Sequence, residues 1–285
     1  MLHLTLSALC LFFLCAYGQS DLTVQIGKGD SQDCPRAAWT TATFKIFTRT
    51  NTRGSCITRK SRTLQSAKFD GSKKTYFFAH GWLQSGTDDF NGPLVQALLR
   101  KEDANVIVVD WSSASQNINL LYSSTSAHFV GGEVAGVIKS MNGLGLSPKN
   151  TNLIGFSLGA KIMQVAGNSL AGDGKKVANF VALDPVAASY KGAADLVQVV
   201  HTSAISHLSS GDIDIFVNKG FVSVNPVRSH NVAIDIYTKS IEGGCGFSAC
   251  AENDSKSCNR LGYGVSATGA KGKLYMTVTS AEKFC

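Results

Sequence analysis

Gly155-Phe156-Ser157-Leu158-Gly159 sets a hydroxyl between two glycines in the middle of the chain. Thr151 to Ile154 before it is strand-like, and Ala160-Lys161-Ile162-Met163 after it opens a helix. A G-x-S-x-G sequence between a strand and a helix can fold as a nucleophile elbow, with the serine on a strained turn and its hydroxyl exposed at the rim of a sheet. The glycines have a steric part, because side chains on either flank of so sharp a turn would collide. A glycine-rich turn carrying an incidental serine is the competing reading, and the flanking elements favour the nucleophile.

A serine hydroxyl attacks an acyl carbon only when a base takes its proton, and the base needs a carboxylate to orient it. On an elbow of this kind the chain order is Ser, acid, His. Asp184 fits the acid, because it ends the next apolar stretch, Val177 to Leu183, and Pro185 stops that stretch from continuing. Of the six histidines, His3 lies in the apolar leader and His80 and His128 precede the serine, which leaves His201, His207 and His230. His201 ends a strand and suits burial, and His207 lies in a serine-rich loop. His230 sits in a polar loop directly before an apparent helix, Val232 to Ile241, from which it could reach across a sheet. Residue chemistry favours His230 and leaves the other two open.

The elements that must position these groups can be read from hydrophobic pattern. Thr43 to Thr48 alternates as a strand does, and Thr75 to Ala79, Val106 to Val109, Asn152 to Ile154, Val177 to Leu183 and Leu196 to Val200 are short apolar runs. They end on His80-Gly81-Trp82, Asp110-Trp111, Gly155, Asp184 and His201. Between them lie amphipathic stretches that read as helices, notably Ser126 to Met141 and Ala160 to Leu170. Continuous apolar strands alternating with helices indicate an α/β fold, a mainly parallel sheet with helices on both faces. Ligands bind such sheets beyond the carboxyl ends of the strands, where the chemically interesting residues fall here.

The 285-residue chain is 44% hydrophobic and 16% charged, enough for one substantial core. Leu2 to Tyr17 is apolar and Ala16-Tyr17-Gly18 offers small residues before a cut near Gln19, so residues 1–18 are expected to be a signal peptide and the mature protein secreted. No later stretch reaches membrane-spanning length, so no transmembrane segment is expected. Eight cysteines less Cys10 and Cys15 of the leader leave Cys34, Cys56, Cys245, Cys250, Cys258 and Cys285, expected to form three disulfides of undetermined connectivity. A zinc site would want paired C-x-x-C spacing, and neither H-E-x-x-H nor an EF-hand pattern occurs, so no metal or cofactor is expected. The net charge of +7 suits anionic lipid surfaces or plain solubility, and there is no dense basic run of a nucleic-acid binder. Asn253-Asp254-Ser255 is a glycosylation sequon.

From about Phe44 to Cys285 the sequence resembles the pancreatic lipase family, in the single-domain form of animal lipases and secreted phospholipases A1. The resemblance rests on Phe44 to Asn51, His80-Gly81-Trp82, Asn105 to Trp111, Val130 to Ala135, the elbow, Leu183-Asp184-Pro185, Val200-His201-Thr202, and Ser229-His230 followed by Tyr237 and Ser240-Ile241. It implies an α/β-hydrolase fold over residues 19–285, the triad Ser157, Asp184 and His230, and an oxyanion hole made by the backbone N–H groups of Trp82 and Leu158. It also implies a lipid ester substrate, phospholipid or acylglycerol, met at a membrane or lipid surface and cleaved through an acyl-enzyme. His80, beside that hole, is expected to be structural.

Four departures qualify the resemblance. The lid that family lipases carry is reduced to Asn218 to Arg228 without a cysteine pair, and the neighbouring loop, Ser203 to Gly211, is short. The family's Gly-His-x-Asp-Phe-Tyr-Pro-Asn becomes Gly211-Asp212-Ile213-Asp214-Ile215-Phe216-Val217-Asn218, and the arginine usual after Ser-His-x is Val232. No C-terminal β-sandwich domain is expected. A non-catalytic lipid carrier or yolk-type storage protein on the same scaffold is the alternative, and the complete triad argues against it.

Overall fold

The apolar runs form strands, and the marked residues that end those runs fall at strand ends, whereas His230 lies on a helix. The structure is a computed structural model that describes residues 22–26, 34–37, 40–186, 188–206, 208–279 and 284. The leader, His207 and Cys285 lie outside the described residues. In chain order the first elements are β1 (Thr43–Thr48), β2 (Asn51–Ile57), α1 (Ser61–Ser66), β3 (Thr75–Ala79), α2 (Asn91–Lys101), β4 (Asn105–Asp110), α3 (Ser112–Ser115) and α4 (Leu120–Asn142). They are followed by β5 (Thr151–Phe156), α5 (Leu158–Gly172), β6 (Asn179–Leu183), β7 (Leu196–His201), β8 (Ile213–Val217) and α6 (Pro226–Glu242). A terminal group, β9 (Ser248–Ala251), β10 (Asp254–Arg260) and β11 (Gly272–Met276), completes one sheet in the order β10-β9-β11-β8-β7-β6-β5-β3-β4-β1-β2.

The sheet is parallel from β4 through β3, β5, β6, β7 and β8 to β11, with antiparallel pairs at both edges. This is the mainly parallel α/β sheet that the strand and helix alternation implies, in the α/β-hydrolase arrangement that the resemblance implies. After β3 the chain crosses to β4 on one side and returns to β5 on the other, so the order reverses between β3 and β5, the position at which open α/β sheets generally bind their ligands. The register makes the strand ends flush: Ala79 pairs with Gly155, Phe156 with Leu183, and Leu183 with Val200. His80-Gly81-Trp82, Ser157, Asp184 and His201-Thr202-Ser203 therefore leave the sheet side by side.

Alternate strand residues fill two cores. Phe78, Ile154 and Val181 pack beneath α2 and α6 with Leu94, Leu98, Ile234 and Tyr237. Phe77, Leu153 and Ala182 pack beneath α4 and α5 with Val130, Val134, Ile162 and Ala166. Burying each such Leu, Ile, Val or Phe side chain contributes about 1.5–3 kcal/mol.

Three helices begin earlier than hydrophobic periodicity implies, α5 only slightly, at Leu158 rather than Ala160. α4 starts at Leu120 rather than Ser126, because the Asn119 side chain accepts from the Leu121 and Tyr122 amides. α6 starts at Pro226 rather than Val232, because Asn225 accepts from the Arg228 amide and Pro226 presets the first helical φ. His230 is thus the fifth residue of a helix, not part of a loop before one. Cys34 is bonded to Cys56 and Cys250 to Cys258 across β9 and β10. Cys245 is disulfide-bonded as well.

Candidate active site

Ser157 has φ 53° and ψ −123°, a strained conformation for a residue with a side chain. The strain is held from both sides. The Ser157 amide donates to Leu183 O at 3.0 Å, continuing the β5–β6 ladder, and α5 begins at the next residue. A Cβ on Gly155 would lie 2.5 Å from Ala160 Cα, and one on Gly159 only 2.1 Å from Ala79 O. Only glycine fits at either flank, so the elbow turns against β3 without obstruction.

Asp184, also at positive φ (39°), is 1% exposed. The Thr202 and Ser203 amides donate to its Oδ1 at 2.7 and 3.0 Å, and the Ser203 hydroxyl donates to Oδ2 at 2.5 Å. His230 Nδ1 lies 2.6 Å from the same Oδ2. Burial works to raise the Asp184 pKa. The His230 and Ser203 hydrogen bonds, the His230 charge and the Thr202 amide outweigh it and hold the carboxyl below its ordinary range. An ionised carboxylate can only accept, so Nδ1 carries the hydrogen and the lone pair stands on Nε2.

The imidazole of His230 packs on the ring of Phe156 at 4.5 Å between centroids, which sets it over the residue preceding the serine. The structure thus brings His230 to Asp184 and stands both beside the elbow. Among the described residues, the Ser157 hydroxyl makes no hydrogen bond to Nε2. Bonds of this kind tighten when substrate binds.

The loop after β3 runs against the serine, and a Cβ on Gly81 would lie 3.0 Å from Ser157 Cβ. It is pinned by Gly81 N to Gln84 Oε1 (2.7 Å), Leu83 N to Ser115 O (2.9 Å) and Trp82 Nε1 to Asn117 O (2.8 Å). The Trp82 and Leu158 amides have no acceptor among the described residues, and Leu158 opens α5, where first-turn amides point outward with the positive end of the helix dipole. His80 is fully buried. Its Nδ1 donates to Gly81 O at 3.0 Å, Trp111 N donates to its Nε2 at 3.2 Å, and its ring stacks on Trp111. It fastens the loop from beneath.

His201 goes elsewhere. Its Nε2 lies 3.1 Å from Asp214 Oδ1, its ring stacks on Phe216 at 4.3 Å, and it is 1% exposed. Sequence reasoning missed the cradle around Asp184. Val200-His201-Thr202 marked the strand end, but nothing in the pattern showed that the next hydroxyl, Ser203, turns back onto the acid.

The sequence model of the family described as Lipase matches residues 27–252. A pancreatic triacylglycerol lipase of Myocastor coypus is 31% identical over 170 residues, 58% of this chain and 36% of that protein. Phospholipase A1 member A of Bos taurus is 25% identical over 298 residues, 85% of this chain and 62% of that protein. An inactive pancreatic lipase-related protein 1 of Canis lupus familiaris is 28% identical, with 62% of this chain and 42% of that protein covered. The chain spans between 36% and 62% of the lengths of these relatives. One of them carries "inactive" in its name, so likeness to such proteins does not by itself carry activity, and the chemistry has to be argued from the site.

Proposed function

The chain belongs to the lipase family, and from that premise we propose that it hydrolyses carboxylic esters of lipids through an acyl-enzyme on Ser157. The observation that carries this reading is the Asp184–His230 pair at 2.6 Å, held beside a serine on a strained elbow. The Ser157 oxygen attacks the ester carbonyl carbon while its proton passes to His230 Nε2. The carbonyl π pair moves onto oxygen, where the Trp82 and Leu158 amides receive it; one such donor is worth roughly 3–4 kcal/mol of the barrier. Collapse expels the alcohol, which takes the proton from Nε2. Water then attacks the acyl-enzyme by the same path, releasing the fatty acid and restoring Ser157. Asp184 stays ionised throughout, fixing the tautomer and stabilising the imidazolium. These steps call on no metal or organic cofactor.

A lipid surface as partner is supported by what the strand ends expose. Because β3 to β8 are parallel, the segments that follow them open on one side. Those segments expose Leu83, Leu121, Tyr122, Leu208, Phe221 and Val224. From Trp111 to Gly132 the chain contains no Asp, Glu, Lys or Arg. Large apolar side chains exposed on the segments that follow the strand ends are material for an interaction site. Among the described residues no helix is long and apolar enough to cross a membrane. The disulfides support secretion after removal of residues 1–18, with residues 19–285 as one lipase domain.

The lid remnant supports phospholipid over triacylglycerol. It is a single turn, Asn218–Gly220, followed by residues 221–225, before α6 takes over at Pro226. Each methylene left in water rather than against a wall forfeits about 0.8 kcal/mol, so a shallow site holds three acyl chains poorly. A phosphate near the mouth would have to compete with Glu252 for Lys219, which lie 3.7 Å apart. A fluorophosphonate should label the wild-type protein and not Ser157→Ala; no labelling of the wild type defeats the hydrolase reading. With phosphatidylcholine vesicles against triolein emulsion at matched enzyme, phospholipid hydrolysis should at least equal triolein hydrolysis. Strong triolein preference with a rate jump at the interface would indicate an ordinary neutral lipase.

A further inference from the structure

We propose that Ser203 is a positioning residue for this reaction, whose hydroxyl fixes the Asp184 carboxylate and draws charge from the oxygen that holds His230. The proposal rests on the hydrolase reading above. Ser203 grips both carboxylate oxygens, its amide on Oδ1 at 3.0 Å and its hydroxyl on Oδ2 at 2.5 Å. Together with Thr202 N and His230 Nδ1 this makes four donors, which fills the roughly four acceptor sites of a carboxylate. The direction of the hydroxyl hydrogen follows from its other contact. Ile205 N donates to Ser203 Oγ at 3.3 Å, so that side is used as acceptor and the hydrogen faces Asp184. Ser203 is 2% exposed, so water does not readily take its place. Thr202 next to it has its hydroxyl buried with no partner among the described residues, so a hydroxyl reaches the acid from position 203 and not from 202.

The consequence is electrostatic. Oδ2 serves two donors, and whatever charge the Ser203 hydroxyl stabilises is withheld from the His230 imidazolium that forms when Ser157 gives up its proton. Ser203 thereby sets how strongly the acid supports the base, as well as the plane in which it does so. Among the described residues the titratable groups around this centre are these. α6 brings His230, with Arg228 and Asp235 along the same helix. β7 and β8 bring His201 and Asp214, engaged with each other, and beneath the Trp82 loop lie His80 and Asp110. β5 and β6 contribute no titratable side chain before the Ser157 turn and Asp184. α5 directs Lys161 to Ser124. None of these is altered by a substitution at 203.

The test is the pH profile of kcat/KM on a soluble ester for Ser203→Ala, Ser203→Thr and Ser203→Cys. Ser203→Ala should move the acid limb upward by roughly half to one pH unit. It should also lower kcat roughly ten- to a hundredfold with KM little changed. Ser203→Thr, which keeps a hydroxyl, should hold the limb near its wild-type position, and Ser203→Cys, a weaker donor, should fall between. A uniform loss of rate with the limb unmoved in Ser203→Ala overturns the proposal. If that variant does not fold, identical limbs in the Thr and Cys variants overturn it instead. Failure of the hydrolase reading would be seen separately, as a wild-type protein that no fluorophosphonate labels. In that case the far-downfield Nδ1–H proton resonance of His230 still decides: it should move further downfield in Ser203→Ala, and an unchanged resonance overturns the coupling.

Discussion

Two histidine–aspartate pairs stand on neighbouring strand ends of this sheet, and they are built in opposite senses. In one, His230 offers Nδ1 to Asp184 and keeps Nε2, the nitrogen furthest from its backbone, for other partners. In the other, His201 offers Nε2 to Asp214, and its Nδ1 is buried with no partner among the described residues. Side-chain exposure is 18% for His230 but 1% for His201, while both carboxylates are sealed, at 2% and 0%. The backbone explains the contrast. His201 is the last residue of β7, and its side chain stands on one face of the sheet, stacked on Phe216. His230 is in the second turn of α6, which overhangs the strand ends. Both carboxylates sit below their ordinary pKa range, burial opposing and the histidine hydrogen bond leading the causes that lower them. A depressed carboxylate beside a histidine therefore does not mark a proton-transfer site. The nitrogen left over, and whether anything can reach it, does.

The largest effect that would break this comparison is on turnover. His230→Ala and Ser157→Ala should each lower kcat by roughly 10⁴-fold or more, and the double variant by no more than the worse single one, because the members act as a unit. Asp184→Asn should cost about 10⁴-fold with the fold intact, since an amide lets the wrong tautomer in. His201→Gln should keep most activity per folded molecule. Steady-state kinetics on a soluble ester, normalised to circular dichroism, checks all five. An inactive, well-folded His201→Gln beside an active His230→Ala would exchange the roles of the two pairs.

Stability should sort the pairs the other way. Asp214 accepts from the Ser210 and Gly211 amides and the Ser209 hydroxyl as well as facing His201, so it closes the loop between β7 and β8. Removing one partner of a buried pair costs about 3–5 kcal/mol, so Asp214→Ala should lose about that much in urea unfolding. His230→Ala, at the rim, should lose about 1 kcal/mol or less. Equal losses would mean that the sealed pair is no more structural than the open one.

What the sequence made legible follows from where the signals are local. The elbow carries its own strand, glycines and helix within a short stretch, and the five strands β3 to β7 read as continuous apolar runs because both sheet faces are covered, whereas β8 carries Asp214 and did not. β2, β9 and β10 are polar edge strands with mixed burial, and no periodic pattern announces them. The start of α6 was legible in Asn225-Pro226, a cap followed by a first-turn proline, but the polar residues that follow read as loop. Choosing between His201 and His230 needed the resemblance. The distinction lies in which face of β7 and which turn of α6 the rings occupy, and that depends on register across the sheet. The Ser203 contact joins residues 19 apart through a single hydroxyl, a geometry that composition and spacing do not encode.

The smallest effect concerns acid, and it sharpens the comparison by separating stability from chemistry. Asp214 titrates below the ordinary aspartate range in the folded protein, so its contribution is fully present above the unfolded value of about 3.9. As pH falls through that value towards the lower folded one, the unfolded chain takes up the proton first and the contribution is lost. Asp214→Asn keeps the shape of the side chain but has no carboxyl to protonate. Its stability deficit against wild type should therefore be constant from pH 7 to about pH 5 and narrow between about pH 4 and 2. Urea midpoints at pH 7, 5 and 3 measure it. Asp184→Asn should show a narrowing in the same window, because Asp184 is displaced in the same direction. If the deficits track together while only Asp184→Asn has lost turnover, then ionisation of both carboxylates serves the fold, and the catalytic difference lies in the geometry of the histidine each one holds. A deficit at Asp214 that stays constant down to pH 2 would show that its hydrogen bonds stabilise the loop without depending on its charge.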